Sequence, residues 1–187
     1  MTRKMTIHDM AGYCHETALW KLLADVCAAL LEQPAEDLQV VMPAHVVMEG
    51  ETFLLDVDAA KDTAVEFLPP EGGARGDEAA VVWSLGALVC YASSGHILFG
   101  GRGGAYQRSH PHVELPSLRK DHAALTPLVQ RCLCYNPSQR ISLKALYEAA
   151  QKGWESSRHQ ERRILQRPYH ATAVADDRAD DVWPEKM

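Results

Sequence analysis

The chain has 187 residues, 47% of them hydrophobic, which excludes a disordered chain and gives one domain of ordinary size a real core. A net charge of −6 and a pI near 5.8 argue against nucleic acid as the main partner, because phosphate binding needs a dominant basic surface. The cysteines Cys14, Cys27, Cys90, Cys132 and Cys134 are odd in number and lack framework spacing, which fits a reducing, cytoplasmic setting better than a secreted one.

The opening stretch MTRKMTIHDMAG has no apolar h-region, so no signal peptide is expected. Thr6 and Asp9 read as a capping signal for a helix over 7–11, stopped by Gly12. A longer helix is expected over 16–32, where Leu19, Leu23, Val26 and Leu30 recur at three- and four-residue spacing. Three short extended runs follow Pro34: Leu38–Met42, His45–Met48 and Thr52–Val57, the last two joined by a turn at Glu49-Gly50-Glu51. They predict small β pairings, not a large sheet. Residues 61–78 read as a loop.

From Ala79 to Phe99 the chain carries no Asp, Glu, Lys or Arg. That length raises a membrane span. Ser84, Gly86, Ser93, Ser94, Gly95 and His96 dilute the run, so a helix over 78–94 buried in a soluble core is the expectation. Residues 95–117 read as a second loop. Thr126 is expected to cap a helix with Pro127 in its first turn. Ser142 is expected to cap another, with Leu143, Leu146 and Ala150 inward. A basic helix over 155–167 then leads into an arm with few core-forming residues.

Motifs that would carry chemistry are weak when weighed against structural explanations. The glycines from Gly95 to Gly104 lack the Gly-Lys-Ser/Thr ending of a phosphate loop and read as flexibility. His110 and His112 flank a proline without a third ligand at motif spacing. Cys132 and Cys134 read as one core thiol and one peripheral thiol. Asp56 and Asp58 share one side of a strand and read as a solvated edge rather than a metal or acid–base pair. No metal or cofactor site is expected.

The order of helix, short hairpins, loop, buried helix, loop and helix pair resembles a protein kinase C-lobe. VVWSLGALVCYASSG is similar to the central buried helix of that family, with Trp83, Gly86 and Gly95 in register. Leu98-Phe99 falls where the family has Pro-Phe. CLCYNPSQRIS, at 132–142, resembles its Asp/Asn-Pro segment with a fixed Arg. PPEGG, at 69–73, resembles the end of the activation segment, and MPAHVVM, at 42–48, the strand after the catalytic loop. With only a short helix before ETALWKLLADVCAALLEQP, the start is similar to that of the KIND domain, a kinase C-lobe without its ATP-binding lobe. The resemblance covers residues 5–153 and leaves 154–187 as a basic helix and acidic arm. It implies a mainly α fold with a few short hairpin strands and no N-lobe.

Kinase chemistry needs a phosphate-covering loop, a catalytic Asp and magnesium ligands. With Pro43 set on the family's proline, Val40 replaces the catalytic Asp, Met42 the phosphate-contacting Lys and His45 the metal-binding Asn. Asp58 alone survives as a magnesium ligand, too little to hold the nucleotide. Val81 replaces the Asp that anchors the catalytic loop, a carboxylate without a task when that loop is inactive. The resemblance also implies that Glu71 and Arg140 form a buried ion pair; the alternative is two ordinary surface charges.

The expected function is therefore a non-catalytic protein-interaction module, not an enzyme, without ATP, cofactor, nucleic acid or membrane. By resemblance its partners are basic peptide segments of cytoskeletal proteins, and its place is the cytoplasm, on the cytoskeleton. The charge layout points the same way. Glu49, Glu51, Asp56, Asp58, Asp62, Glu66, Glu71, Asp77 and Glu78 face only Lys61 and Arg75, while Arg158, Arg162, Arg163 and Arg167 crowd one later segment. A solvated face is the plain alternative. Asp56, Asp62, Glu66, Arg162, Arg163 and Trp183 are the candidate partner contacts, and the 158–167 segment is a candidate occupant of the acidic site in cis. The other reading is a structural component of a larger assembly, anchored by the C-terminal arm; residual nucleotide binding is the third.

Overall fold

A computed structural model describes residues 4–58 and 64–166, and all that follows concerns them. The chain enters through a two-residue strand, β1 (Met5–Thr6), and one helical turn, α1 (Ile7–Met10). The Thr6 backbone N–H and hydroxyl both donate to the Asp9 carboxylate, at 2.9 and 3.0 Å, which closes that turn. Gly12, at φ +84°, redirects the chain in a conformation that disfavours other residues, and its N–H donates to Ala92 O.

α2 (Glu16–Leu31) buries Leu19, Leu22, Leu23, Val26, Cys27 and Leu30. Beyond it, β2 (Val46–Glu49) and β3 (Thr52–Leu55) form a hairpin, and β1 adds to β2, giving an antiparallel sheet in the order β1-β2-β3. The register pairs Met5 with Met48 and Met48 with Phe53. Asp25 of α2 accepts the Phe53 N–H at 2.9 Å, so a side chain occupies a backbone donor of this strand. Two expectations change here. Leu38–Met42 forms no strand, because its polar backbone groups bind elsewhere: Leu38 O accepts from Gly76 N and Val41 N–H donates to Ser84 Oγ. Pro43–His45 is a 3-10 turn, so the strand starts only at Val46.

α3 (Glu78–Ser94) forms the centre. Asp77 caps it by accepting from Ala80 N, and Gly95 ends it at φ +76°. Residues around its whole circumference are buried, from Ala80 through Ser93, as a helix apolar all round requires. Among the described residues no helix is long and apolar enough to cross a membrane.

The stretch expected as a loop over 95–117 holds an irregular turn, α4 (Leu98–Gly101), in which Phe99 and Gly100 take left-handed φ of +52° and +66°, and one short helix, α5 (Gly103–Ser109). Two of its glycines serve close contact, whereas a Cβ on Gly100 or Gly101 would meet nothing within 4 Å. A Cβ on Gly103 would strike Glu66 O, and one on Gly104 would strike Leu68 O, so these positions admit the 66–70 backbone. Gln107 of α5 is buried and ties three elements: it accepts from Trp83 Nε1 at 2.9 Å and donates to Leu133 O at 2.7 Å.

α6 (Thr126–Cys132) begins at Thr126, but the Thr126 hydroxyl accepts from Leu118 N–H rather than capping its own helix. α6 packs closely on α3, where a Cβ on Gly86 would come 2.8 Å from that of Cys132. α7 (Leu143–Leu165) is capped by Ser142, which accepts from Ala145 N, and it buries Leu143, Leu146 and Ala150. The basic segment expected as a separate helix is the second half of α7. α7 lies along α2, with Gly153 against the Trp20 ring and the Thr17 hydroxyl donating to Glu161 at 2.5 Å. The protein is thus mainly α with one small sheet.

Candidate functional site

The residues that the resemblance aligns with a catalytic loop turn inward. Val40, Met42 and His45 are 8, 4 and 5% exposed. Val40 packs at Gly73, where a Cβ would come 2.9 Å from Val40 Cγ1. The Met42 N–H donates to His45 Nδ1 at 3.3 Å, and the Met42 sulfur accepts from Ala64 N at 3.2 Å. None of the three side chains presents an acid, a base or a metal donor to solvent.

This segment is nonetheless held to α3. Val81 supplies no polar group, as its residue type dictates, but Ser84, three residues along the same helix, does. Its Oγ accepts the Val41 N–H at 2.9 Å and donates to Val81 O at 2.7 Å. A hydroxyl in the core thereby satisfies a buried backbone donor that no strand partner satisfies.

Asp58 and Asp56 are exposed, just past β3. The Asp58 N–H donates to Asp56 Oδ1 at 3.2 Å, a turn-type contact, while the Asp56 N–H donates to His45 O. Among the described residues no group of three or more His, Cys, Asp and Glu is placed to hold a metal. His110 stacks on Tyr106 with centroids 4.1 Å apart, in an exposed position.

Glu71 and Arg140 meet. The guanidinium holds both carboxylate oxygens, and the Arg140 side chain is 1% exposed against 26% for Glu71. Arg140 also donates to the carbonyls of Cys134, Ala79 and Tyr135. The pair fastens residue 71, the start of α3 and the turn before α7 to one another.

The acidic run from Glu49 to Glu78 is only partly an outward surface. Glu49 pairs with Lys4 at 2.8 Å, Glu71 with Arg140, Asp77 caps α3, and Glu78 accepts from Leu143 N at 2.8 Å. Glu71, Asp77 and Glu78 thus do structural work, while the Lys4–Glu49 pair is exposed at both ends. Glu51, Asp56 and Asp58 are exposed and Glu66 is half-buried. Asp62, a candidate contact, lies outside the described residues, as does Trp183. Arg162 and Arg163 are exposed on α7, and of the 158–167 segment expected as an occupant of the acidic site, residues 158–165 extend the helix that lies along α2.

No family model matches the chain, and no curated protein matches it. The residues therefore have to speak for themselves, and one cluster among them was missed by the sequence reading. Ser93 Oγ lies 2.6 Å from His122 Nδ1, and His122 Nε2 lies 3.6 Å from Asp121 Oδ2. The residue types are those of a hydrolytic triad, but Ser93 has no exposed surface, and a nucleophile must reach its substrate. Arg119 holds Asp121 and donates to Gly12 O, so the cluster ties the end of α3 to the turn before α2. With 28 residues between serine and histidine, no local motif announces it.

Burial pushes the core thiols up: Cys14 to about 11, Cys27 and Cys90 to about 12, and Cys132 in the same direction. They are packing groups, not nucleophiles.

Proposed function

We propose that this protein is a non-catalytic interaction module resembling a kinase C-lobe of KIND type, in which the scaffold is used and the chemistry is gone. The observation that carries this reading is the inward burial of Val40, Met42 and His45, with the Met42 N–H on His45 Nδ1 and the Met42 sulfur accepting from Ala64 N. A phosphotransfer loop must offer its acid, base and metal donors to a bound nucleotide. Here the same stretch contributes to the core. The Glu71–Arg140 pair supports the reading too, since it holds a long connecting segment in place where no catalytic residue needs holding.

The partner proposed is a basic peptide segment, of the kind cytoskeletal proteins carry, met by Asp56, Asp58, Glu51 and Glu66, with Asp62 as the further candidate. Charge complementarity of this sort speeds association and sets register. Binding of a Lys- and Arg-rich synthetic peptide is expected to weaken with added salt and with Glu66→Gln combined with Asp56→Asn, because screening shortens the Debye length to about 8 Å at physiological ionic strength. Binding indifferent to both would remove the acidic face from the proposal. Melting of the protein with magnesium and ATP is expected to show no saturable rise; a clear one would overturn the non-catalytic reading, since any ligand of the native state stabilises it.

The second reading, a component anchored in an assembly by its C-terminal arm, is favoured by one observation. Ile164 and Leu165, at the end of α7, are 60 and 84% exposed. Loss of all partner binding on removing residues 167–187, with the acidic substitutions silent, would favour it.

A further inference from the structure

The last turns of α7 project past the core. Its buried residues end at Ala150, and every residue from 158 to 166 is exposed. The Thr17–Glu161 contact places the first turn of α2 beside Glu161, so Ile164 and Leu165 lie about one turn farther out. Tyr13, three residues before α2, is 85% exposed. Arg158, His159, Arg162 and Arg163 share this end of the helix. Arg158 lies over the Trp154 ring at 5.1 Å, and Arg162 and Arg163 point to solvent. The result is a helix end that is basic and carries two large exposed apolar side chains, an unusual surface to leave without cover.

The chain itself supplies a complementary sequence. Asp176, Asp177, Asp180 and Asp181, against a single Arg178, run directly into Val182 and Trp183. Four carboxylates followed by an aromatic anchor match a surface of three arginines with two aliphatic side chains. We propose that residues 176–183, outside the described residues, dock in cis on the exposed end of α7. The carboxylates would meet Arg158, Arg162 and Arg163, and Val182 with Trp183 would cover Ile164 and Leu165.

The chain is long enough to do so. Residues 167–175 span at most about 30 Å when extended. The helix from Arg158 to Gln166 is only about 12 Å long. A segment tethered through so short a connection is presented at an effective concentration in the millimolar range. A contact too weak to pair two separate molecules therefore suffices within one, which selects the same chain rather than a second copy as occupant.

The test uses the full chain and a labelled synthetic peptide of residues 174–187. Wild-type protein, with its site covered, is expected to bind the peptide weakly. A full-length variant with Asp176→Asn, Asp177→Asn, Asp180→Asn and Asp181→Asn uncovers the site and is expected to bind the same peptide roughly tenfold or more tightly. Added salt should weaken that binding, and Arg162→Glu with Arg163→Glu in the neutralised chain should abolish it. Buried α7 residues end at Ala150, so all these variants are expected to melt as the wild type does, which checks the fold independently. Equal peptide binding by wild-type and neutralised chains, or none by either, would overturn the proposal. So would sedimentation of the wild type as a dimer that dissociates on neutralisation, because the segment would then cover a second copy.

Discussion

Arg140 and Glu71 form a bidentate ion pair with unequal burial: the guanidinium is sealed in, while a quarter of the carboxylate side chain remains accessible. The two residues are therefore not equivalent to remove. Glu71→Ala leaves Arg140 with three carbonyl acceptors still in place. Arg140→Ala strands those carbonyls together with Glu71. Breaking a buried pair costs about 3–5 kcal/mol. Arg140→Ala is expected to fall in that range and Glu71→Ala below it, measured by urea unfolding. Two silent substitutions would mean that the pair fastens nothing.

Gly153→Ala tests the seating of α7 on α2. By helix propensity alone, alanine gains about 1 kcal/mol over glycine in a helix interior. The added Cβ would overlap the Trp20 ring, and Trp20 is 8% exposed with its Nε1 donating to Glu16. Overpacking of this kind costs about 1–3 kcal/mol. The clash is expected to win, and the melting temperature to fall. A rise would show that the ring has room to yield.

Most of the helical framework was legible in the sequence, because periodicity and caps act locally. Leu19, Leu23, Val26 and Leu30 announce α2, and Ser142 before Leu143 and Leu146 announces α7. What escaped depends on residues far apart in the chain. The Leu38–Met42 run has strand composition but finds its partner in Ser84. The glycines at 103 and 104 look like a hinge until the 66–70 backbone is placed against them. β1 is two residues long, too short for any alternation to show. At the site, residue types at positions 40, 42 and 45 were readable, whereas their burial was not. The structural use of Asp77 and Glu78 was hidden inside what reads as one acidic run.

The buried thiols give the protein a pH dependence of definite sign. An unfolded cysteine ionises near its ordinary value of 9, while Cys14, Cys27 and Cys90 in the fold hold their protons to about 11 and 12. The folded state then binds more protons than the unfolded one above pH 9, so stability falls as pH rises through that window, by at most about 1.4 kcal/mol per pH unit for each thiol. Urea midpoints at pH 8 and pH 10 measure the slope, and Cys90→Ala is expected to reduce it. In the native state only Cys134, the least buried of the five, is expected to react readily with a thiol reagent.

On the kinase-like reading proposed above, placing an acid at position 40 tests whether the buried segment can serve a nucleotide. If the loop merely lacked its residue, Val40→Asp would place a carboxylate near solvent at small cost. The Val40 side chain instead packs at Gly73 with 8% exposure, and the segment is pinned by the Val41 N–H on Ser84. A polar group buried there without a partner costs roughly 2–7 kcal/mol, depending on the reference state. Val40→Asp is thus expected to lower stability strongly and to confer neither magnesium–ATP binding nor phosphotransfer. Ser84→Ala should act through the same segment by stranding the Val41 N–H, at about 1–3 kcal/mol. Unfolding measurements on both variants decide the point. A well-tolerated Val40→Asp that gained saturable nucleotide stabilisation would mean that the segment can open toward a ligand, and would count against the non-catalytic function proposed above.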